Sequence, residues 1–289
     1  MKPAKFEYHA PETVADVTAL LAEHGDEAKV LAGGQSLVPM LNMRLTRFEH
    51  IVDLNRVREL HGISRTNGTL TIKAMTRQAV AERDGQVGAV PLLAQAIPQI
   101  GHFQIRNRGT VGGSIAHADP ASELPAVALA LDAELEIAGS GGMRRENARD
   151  FFVGTWTTSL GDDDVLTAVS FPVWEGRTGF VVDEVARRSG DFALTGVVCG
   201  VEVDDAGAVK RSAIAFFGMS PTPIRGSQGE AALAGANPGA GDLREIARLA
   251  VADCEPSDDV HASAEYRKHV GAHLAERALD RALGEARGG

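Results

Sequence analysis

The chain has only two cysteines, Cys199 and Cys254, and they lie far apart in the sequence. No disulfide framework and no Cys-x-x-Cys metal or iron–sulfur site can be built from this chain alone. The sequence also lacks an apolar run near 18 residues, so no membrane-spanning helix is predicted. Its first residues lack a signal-peptide apolar core, and a reducing cytoplasm is therefore the expected location.

Positive charge is also scarce. The 289 residues include 29 Lys and Arg against 39 Asp and Glu, which gives a formal net charge of −10. An acidic surface argues against nucleic acid and anionic membranes as partners. A bound phosphate would therefore be held mainly by backbone N–H groups and hydroxyls. The length indicates two or three domains.

Common catalytic and nucleotide-binding motifs are absent. There is no Gly-x-Gly-x-x-Gly after a strand, no P-loop lysine, no His-Glu-x-x-His and no Gly-x-Ser-x-Gly elbow. His117 and Asp119 could form a metal pair if they alternated on a strand, but no third ligand is near in the sequence. We therefore expect neither a metal site nor a catalytic acid, base or nucleophile in this chain.

Two glycine-serine segments are the most informative part of the sequence. The first, residues 32–37, reads Ala-Gly-Gly-Gln-Ser-Leu, and the second, residues 109–120, reads Gly-Thr-Val-Gly-Gly-Ser-Ile-Ala-His-Ala-Asp-Pro. A glycine pair lets a ligand approach the main chain closely, and successive N–H groups can converge on an anion. Together with the hydroxyls of Ser36, Thr110 and Ser114, the two segments could hold the two halves of a pyrophosphate. Each segment taken singly is also compatible with an ordinary turn.

Apolar spacing predicts an alternation of strands and helices in the first part of the chain. A helix is expected between Pro11 and Gly25, and Ser36 is a candidate N-cap for the next one. Further on, Asn67-Gly68 predicts a hairpin, and Thr76 is expected to cap a helix. The remaining predictions are strands at 6–9, 29–31, 51–54, 133–138 and 165–171 and a helix at 120–131.

The pattern changes after residues 174–177. Long strands over 192–203 and 209–217 are joined by Asp-Asp-Ala-Gly, which predicts an antiparallel hairpin. Three helices are expected to follow, over about 227–234, 242–253 and 262–286. In the last, a stripe of Tyr266, Val270 and Leu274 is expected to face the core.

Three side chains admit two interpretations. Arg106 and Arg108 flank the second glycine-serine segment and could neutralise a phosphate or simply be solvated. Phe192, at the head of a predicted strand, could belong to the core or face a cofactor.

Residues 32–37, 104–114 and 119–125 resemble the FAD-binding medium subunits of molybdenum hydroxylases, the carbon monoxide dehydrogenase and xanthine dehydrogenase family. Residues 187–193, Arg-Arg-Ser-Gly-Asp-Phe-Ala, resemble the segment that opens the C-terminal domain of that family. The resemblance implies a subunit that binds FAD and passes electrons from partner [2Fe–2S] clusters to an external acceptor. A small subunit would carry those clusters, and a large subunit would carry the molybdenum cofactor on which the substrate is oxidised.

The resemblance also implies a three-part α+β chain. An N-terminal lobe (1–55) and a middle lobe (56–175) would form the FAD-binding fold of the vanillyl-alcohol oxidase and p-cresol methylhydroxylase type. A C-terminal domain (176–289) would combine a three-stranded antiparallel sheet with a helical bundle. The implied assembly is a dimer of heterotrimers.

By position, the two segments would hold the FAD pyrophosphate. Residues 116–123 match positions near the ribityl chain and the flavin or adenosine ends, and Phe192 matches an aromatic beside the isoalloxazine ring. The implied cofactor-binding residues are Ala32, Gly33, Gly34, Gln35, Ser36, Leu37, Thr110, Gly112, Gly113, Ser114, Ala116, His117, Asp119, Glu123 and Phe192.

Departures from the family pattern bear on the substrate. The carbon monoxide enzymes have His where this chain has Gln35, and a different sequence over residues 114–120, which argues against carbon monoxide. The cysteine-bearing insertion of the benzoyl-CoA-type members is absent. Two alternatives are a self-sufficient FAD-dependent oxidoreductase of the same fold and a non-redox nucleotide-binding module.

Overall fold

The first 53 residues form a parallel three-stranded sheet with two helices. The computed structural model describes residues 1–288. The strand order in this sheet is β1-β3-β2, and both pairs are parallel. As predicted, the first helix ends at a glycine, Gly25, whose φ is +53°. The elements are β1 (Glu7–His9), α1 (Val14–His24), β2 (Ala28–Leu31), α2 (Leu37–Met43) and β3 (His50–Asp53).

An antiparallel five-stranded sheet follows, in the order β4-β5-β10-β6-β7. The β4–β5 hairpin turns at Asn67-Gly68, both with positive φ, as the sequence predicts. The elements are β4 (Ile63–Thr66), β5 (Thr69–Lys73), α3 (Gln78–Ala81), α4 (Pro91–Ala96), α5 (Phe103–Arg106), α6 (Val111–His117), α7 (Glu123–Ala130), β6 (Glu134–Gly139), β7 (Gly142–Asn147), α8 (Ala148–Phe151), β8 (Phe152–Gly154), β9 (Thr157–Thr158) and β10 (Val165–Pro172).

The C-terminal part is an antiparallel sheet, β11-β12-β13-β14, covered by three helices. It has four strands instead of the three expected, because Ile224-Arg225 pairs with the end of β13. Two residues are too few to leave an alternating pattern in the sequence. The elements are β11 (Arg177–Ala186), β12 (Ala193–Val203), β13 (Val209–Phe217), β14 (Ile224–Arg225), α9 (Ser227–Leu233), α10 (Ala240–Ala250) and α11 (Ala264–Arg287).

Helix α7 joins the last two sheets into one core. All eight of its residues are buried, as expected of a helix that is apolar on every side. It packs against β12 and β13 as well as α4 and α6. Phe171 from the five-stranded sheet and Phe217 from the four-stranded sheet consequently belong to the same buried cluster.

The other face of the C-terminal sheet packs against α11. Leu274 is 1% exposed there, whereas Tyr266 is 46% exposed, so the expected apolar stripe is wrong for the tyrosine. Side chains four residues apart differ by about 40° in direction around a helix axis. Tyr266, eight residues before Leu274, therefore points away from the buried face.

Thr76 does not cap a helix, contrary to expectation. Its hydroxyl donates to the Gly62 carbonyl at 3.0 Å and accepts from the Gly62 amide at 3.1 Å. The following helix begins at Gln78, after Arg77 in the capping position. None of the helices in residues 1–288 has both the length and the apolar composition needed to cross a bilayer.

Truncation of Leu274 should destabilise the C-terminal sheet and helix layer. We expect Leu274→Ala to lower the free energy of unfolding by about 2–5 kcal/mol, because the removed side chain leaves a cavity in a fully packed interface. Urea unfolding measured by circular dichroism checks this value. Tyr266→Ala, on the same helix but half-exposed, is the control and should cost much less; equal losses in the two variants would contradict the assignment of Leu274 to the core.

Candidate cofactor site

The two glycine-serine segments lie against each other. A Cβ added to Gly33 would be 2.7 Å from the Cα of Gly109, and one added to Gly113 would be 3.1 Å from the Cβ of Ala32. Carbon atoms in contact normally stay about 3.5–4.0 Å apart. Any side chain at Gly33 would therefore push the segments apart, so the main chains can meet only because this residue is glycine.

The first segment presents unused backbone donors. It follows β2 and turns at Gly34, whose φ is +74°. Within residues 1–288, the amides of Gly33, Gly34, Gln35 and Ser36 have no protein acceptor at hydrogen-bond distance. Ser36 occupies the predicted N-cap position of α2, but its hydroxyl makes no capping hydrogen bond. These donors are consequently available to an anion.

The second segment has a different role from the one predicted. Its Thr110–Ser114 part begins α6, and Thr110 caps that helix by accepting from the Gly113 amide at 3.0 Å. The Val111 amide donates to the Thr76 carbonyl at 3.0 Å, and the Gly112 amide donates to the Ala74 carbonyl at 2.9 Å. The expectation of a second set of free amides is wrong for these three residues, because the protein itself satisfies them.

A polar network at the ends of β2 and β3 supports the first segment. Asp53, the last residue of β3, accepts from the Tyr8 hydroxyl at 2.6 Å and from the Asn55 amide at 2.8 Å. The hydrogen bond to Asp53 raises the pKa of Tyr8. The Asn55 side chain also donates to the Ala32 carbonyl at 3.2 Å.

Arg77 completes the connection between the segments. Its guanidinium donates to the Asn55 side-chain oxygen and to the Arg108 carbonyl. Burial, and then the nearby Arg108, lower the pKa of Arg77. Sequence reasoning missed Asp53, Asn55 and Arg77. The available signal was that Asp53 and Asn55 follow a parallel strand, since ligands bind outside the carboxyl ends of such strands.

A cavity of about 330 Å³ opens beside this contact. Arg108 is among the residues that line it. Arg106 is committed elsewhere: it pairs with Glu82 at 2.9 Å and donates to the carbonyls of Ile100 and Gly101. The cavity is lined by Leu31, Ala32, Gly33, Gly34, Gln35, Val38, Pro39, Asp53, Asn55 and Arg108.

A second polar cluster lies at the far end of α6. His117 is the last residue of that helix and stacks on Trp156, with 6.4 Å between ring centroids. Asp119 accepts from the Trp156 indole nitrogen at 3.1 Å. His117 and Asp119 are thus on a helix end and the following turn and not on a strand. Burial lowers the pKa of His117, so its neutral form is favoured.

Four more of the expected site residues differ in exposure. Glu123 opens α7 and is 8% exposed, whereas Phe192 is 66% exposed and is not a core residue. A Cβ added to Gly190, in the segment before Phe192, would lie 2.6 Å from Nδ1 of His102, which stands just before α5. Ser114 and Ala116, on α6, are half-buried.

Comparison with known families gives two matches that together cover most of the chain. Residues 4–174 match the family described as the FAD binding domain in molybdopterin dehydrogenase. Residues 181–282 match the CO dehydrogenase flavoprotein C-terminal domain. The chain belongs to the family of molybdopterin dehydrogenase flavoprotein subunits.

Individual members of this flavoprotein family are similar over their full length. The carbon monoxide dehydrogenase medium chain of Hydrogenophaga pseudoflava is 37% identical over 284 residues, which is 98% of each chain. The 6-hydroxypseudooxynicotine dehydrogenase complex subunit alpha of Paenarthrobacter nicotinovorans is 39% identical, covering 99% of this chain and 97% of the relative. A solved structure of the Hydrogenophaga pseudoflava carbon monoxide dehydrogenase superposes with a TM-score of 0.96 and covers 99% of each chain.

The donor set of this flavoprotein subunit suits the diphosphate of a dinucleotide. The unused amides of residues 33–36 lie where two main chains meet without side chains between them, and Arg108 lines the adjoining cavity. Neutral N–H donors can hold a phosphate in a protein whose net charge is negative. The residues present therefore fit the cofactor that the family description names.

Glu123 should make the stability of the chain depend on pH. Burial raises the pKa of Glu123 from 4.5 to about 8. Between these values the folded chain keeps a proton that the unfolded chain has released, so the free energy of unfolding falls as the pH rises. Glu123→Gln cannot ionise, and its Tm should drop less than that of the wild type between about pH 5 and pH 8.

Differential scanning calorimetry of the flavin-free chain measures this difference. Glu12→Gln, which removes an exposed carboxylate on the surface, is the control and should follow the wild type. Burial also raises the pKa of Glu184 to about 7, so some pH dependence should remain in Glu123→Gln. Identical pH profiles for Glu123→Gln and the wild type would contradict the buried protonated carboxyl.

Proposed function

We propose that this chain is the FAD-binding subunit of a multi-subunit molybdenum hydroxylase and passes electrons between a partner and an external acceptor. The observation that carries the proposal is the close contact of Gly33 with the Arg108–Gly109 backbone beside four unused amides. A diphosphate bound here would accept hydrogen bonds, on one side, from the free N–H groups of residues 33–36.

The positive charge for the diphosphate comes from Arg108, the arginine that lines the cavity. Arg77 holds the Arg108 carbonyl, so its role is to position the second segment. In this arrangement the first segment donates hydrogen bonds, and Thr110, Gly112 and Gly113 form the wall against which it rests. Ser114 adds a hydroxyl on the next turn of α6.

The remaining site residues extend this assignment beyond the diphosphate. His117, Trp156 and Asp119 form a polar wall one helical turn from Gly113, close enough to face the ribityl chain or an end of the cofactor. The exposed Phe192 is the candidate aromatic beside the isoalloxazine ring. Glu123 would act as a buried, protonated carboxyl behind this wall.

The three larger sheets support a division of the chain at residues 55 and 175. The parallel sheet uses residues 7–53, the five-stranded sheet residues 63–172 and the C-terminal sheet residues 177–225. We propose that the first two units are the lobes of a vanillyl-alcohol oxidase-type FAD fold, and that the chain acts in the cytoplasm within a dimer of heterotrimers.

When bound, FAD exchanges electrons singly with iron–sulfur clusters and in pairs with an acceptor such as NAD⁺, O₂ or a quinone. This chain would hold and orient the ring, and the substrate would be oxidised on the molybdenum-bearing partner. The relatives support that division of labour, because a carbon monoxide dehydrogenase medium chain and a 6-hydroxypseudooxynicotine dehydrogenase complex subunit are 37% and 39% identical to the chain.

Gly33→Ala tests the diphosphate cradle. The added methyl group would collide with the Gly109 main chain, move the two segments apart and displace the donors, so FAD affinity should fall at least about tenfold, or about 1.4 kcal/mol. The measurement is flavin absorbance per chain after gel filtration, followed by titration of the stripped chain with FAD.

Gly88→Ala is the matched control, because a Cβ at Gly88 meets no atom within 4 Å. It should keep the flavin of the wild type. Normal flavin content in Gly33→Ala, with the variant folded by circular dichroism, would refute the placement of the diphosphate.

Co-expression with the neighbouring genes tests the assembly. We expect the chain to co-purify with two other polypeptides and with molybdenum and iron, detected by inductively coupled plasma mass spectrometry. A stable flavoprotein that reduces its flavin with a small substrate in the absence of any partner would instead favour a self-sufficient oxidoreductase.

A further inference from the structure

Three of the nine histidines of the chain lie together on the N-terminal sheet. They are His9 at the end of β1, His24 in the last turn of α1 and His50 at the start of β3. One ring nitrogen from each lies within 4.8 Å of the others. From this cluster we infer a binding site for a divalent transition metal of the zinc type, formed by His9, His24 and His50 with Glu7 as a further ligand.

Strand pairing explains why the cluster forms. In the parallel β1–β3 pair, Glu7 is opposite His50. Residues two apart on a strand share a face, so Glu7 and His9 point to the same side as His50. Helix α1 packs on this sheet, and its capping residue Gly25 stops it with His24 over the His50 ring, 3.7 Å between centroids and 6° from parallel.

The distances are close to those of a coordination shell. His9 Nε2 and His50 Nδ1 are 3.1 Å apart. Two imidazole nitrogens on a tetrahedral Zn²⁺, each about 2.0–2.1 Å from the ion, are separated by about 3.3 Å. The two Glu7 carboxylate oxygens lie 3.9 Å from these nitrogens, one from each, so the carboxylate spans the same point.

Exposure and charge also favour a cation. The side chains of His9 and His50 are 17% and 15% exposed, which holds the rings in place, whereas Glu7 is 68% exposed and free to move toward an ion. The carboxyl end of α1 adds the negative end of a helix dipole beside His24. Imidazole nitrogens combined with a carboxylate are ligands that suit Zn²⁺ among the divalent first-row metals.

This site is separate from the proposed FAD cradle. His50 begins β3 and Asp53 ends it, and three residues of strand span about 10 Å. The inference therefore stands whether or not the chain binds FAD. The sequence by itself predicts no metal site. It does not reveal this cluster because His9, His24 and His50 are far apart in sequence and show no ligand spacing.

The two cysteines do not compete as ligands. Both Cys199 and Cys254 are buried in the C-terminal core, and burial raises the pKa of each thiol to about 12. A thiolate is the form that binds metal, so these thiols are inert toward Zn²⁺ in the folded chain.

Isothermal titration of the full-length, untagged, chelator-treated chain with ZnCl₂ tests the site. We expect a single Zn²⁺ per chain and a rise in Tm on binding. His24→Gln and His9→Gln should each weaken binding at least about tenfold, since the loss of even an outer-shell partner costs that much. Co²⁺ added in place of Zn²⁺ should give visible ligand-field bands that both variants lose.

His273→Gln is the matched control, because His273 is exposed on α11, outside the cluster. It should bind Zn²⁺ like the wild type. Circular dichroism in the presence of chelator shows whether each variant is folded. The substitutions at His9 and His24 test the site independently, so one variant still tests it if the other does not fold. Absence of Zn²⁺ uptake by the wild type, or equal affinity in the wild type and both cluster variants, would overturn the site.

Discussion

The close approach of two main chains at Gly33 is the constraint on which the candidate site depends. The first glycine-serine segment rests directly on the backbone of Arg108 and Gly109, with no side chain between them. Asn55 and Arg77 hold the two segments by hydrogen bonds to the carbonyls of Ala32 and Arg108. Since both bonds end on main-chain atoms, the arrangement is insensitive to the side chains that the segments carry elsewhere.

The two glycine-serine segments use their backbone amides differently. The first leaves a row of amides without protein acceptors, whereas the second uses its amides to anchor α6 to the Ala74 and Thr76 carbonyls. The donor loop is thereby held against the first turn of a helix. An acidic chain can bind a phosphate in this way without a large positive patch, because neutral amides and a single arginine attract the anion.

Helix α7 links this site to the rest of the molecule. It begins at Glu123, soon after the His117–Asp119 turn, packs on the four-stranded sheet, and shares a buried cluster with residues of the five-stranded sheet. Because the two sheets share one core, the segment that carries Phe192 is held at a defined place beside His102. The C-terminal sheet therefore helps to shape the surroundings of the site although it supplies few of its residues.

Residue patterns alone predicted many of the strands and helices and singled out the two glycine-serine segments. Asn67-Gly68 specified a hairpin because few other residues accept two positive φ values in a row, and the two glycine-serine segments were recognisable because glycine marks close approach. The resemblance of the same residues to a known family predicted that the cofactor is FAD. Which donors are free depends on the folded chain, since hydrogen-bond acceptors such as the Ala74 carbonyl are remote in sequence. For the same reason the Asp53–Asn55–Arg77 network and the histidine cluster could not be predicted: their members come from different elements, and folding alone brings them together.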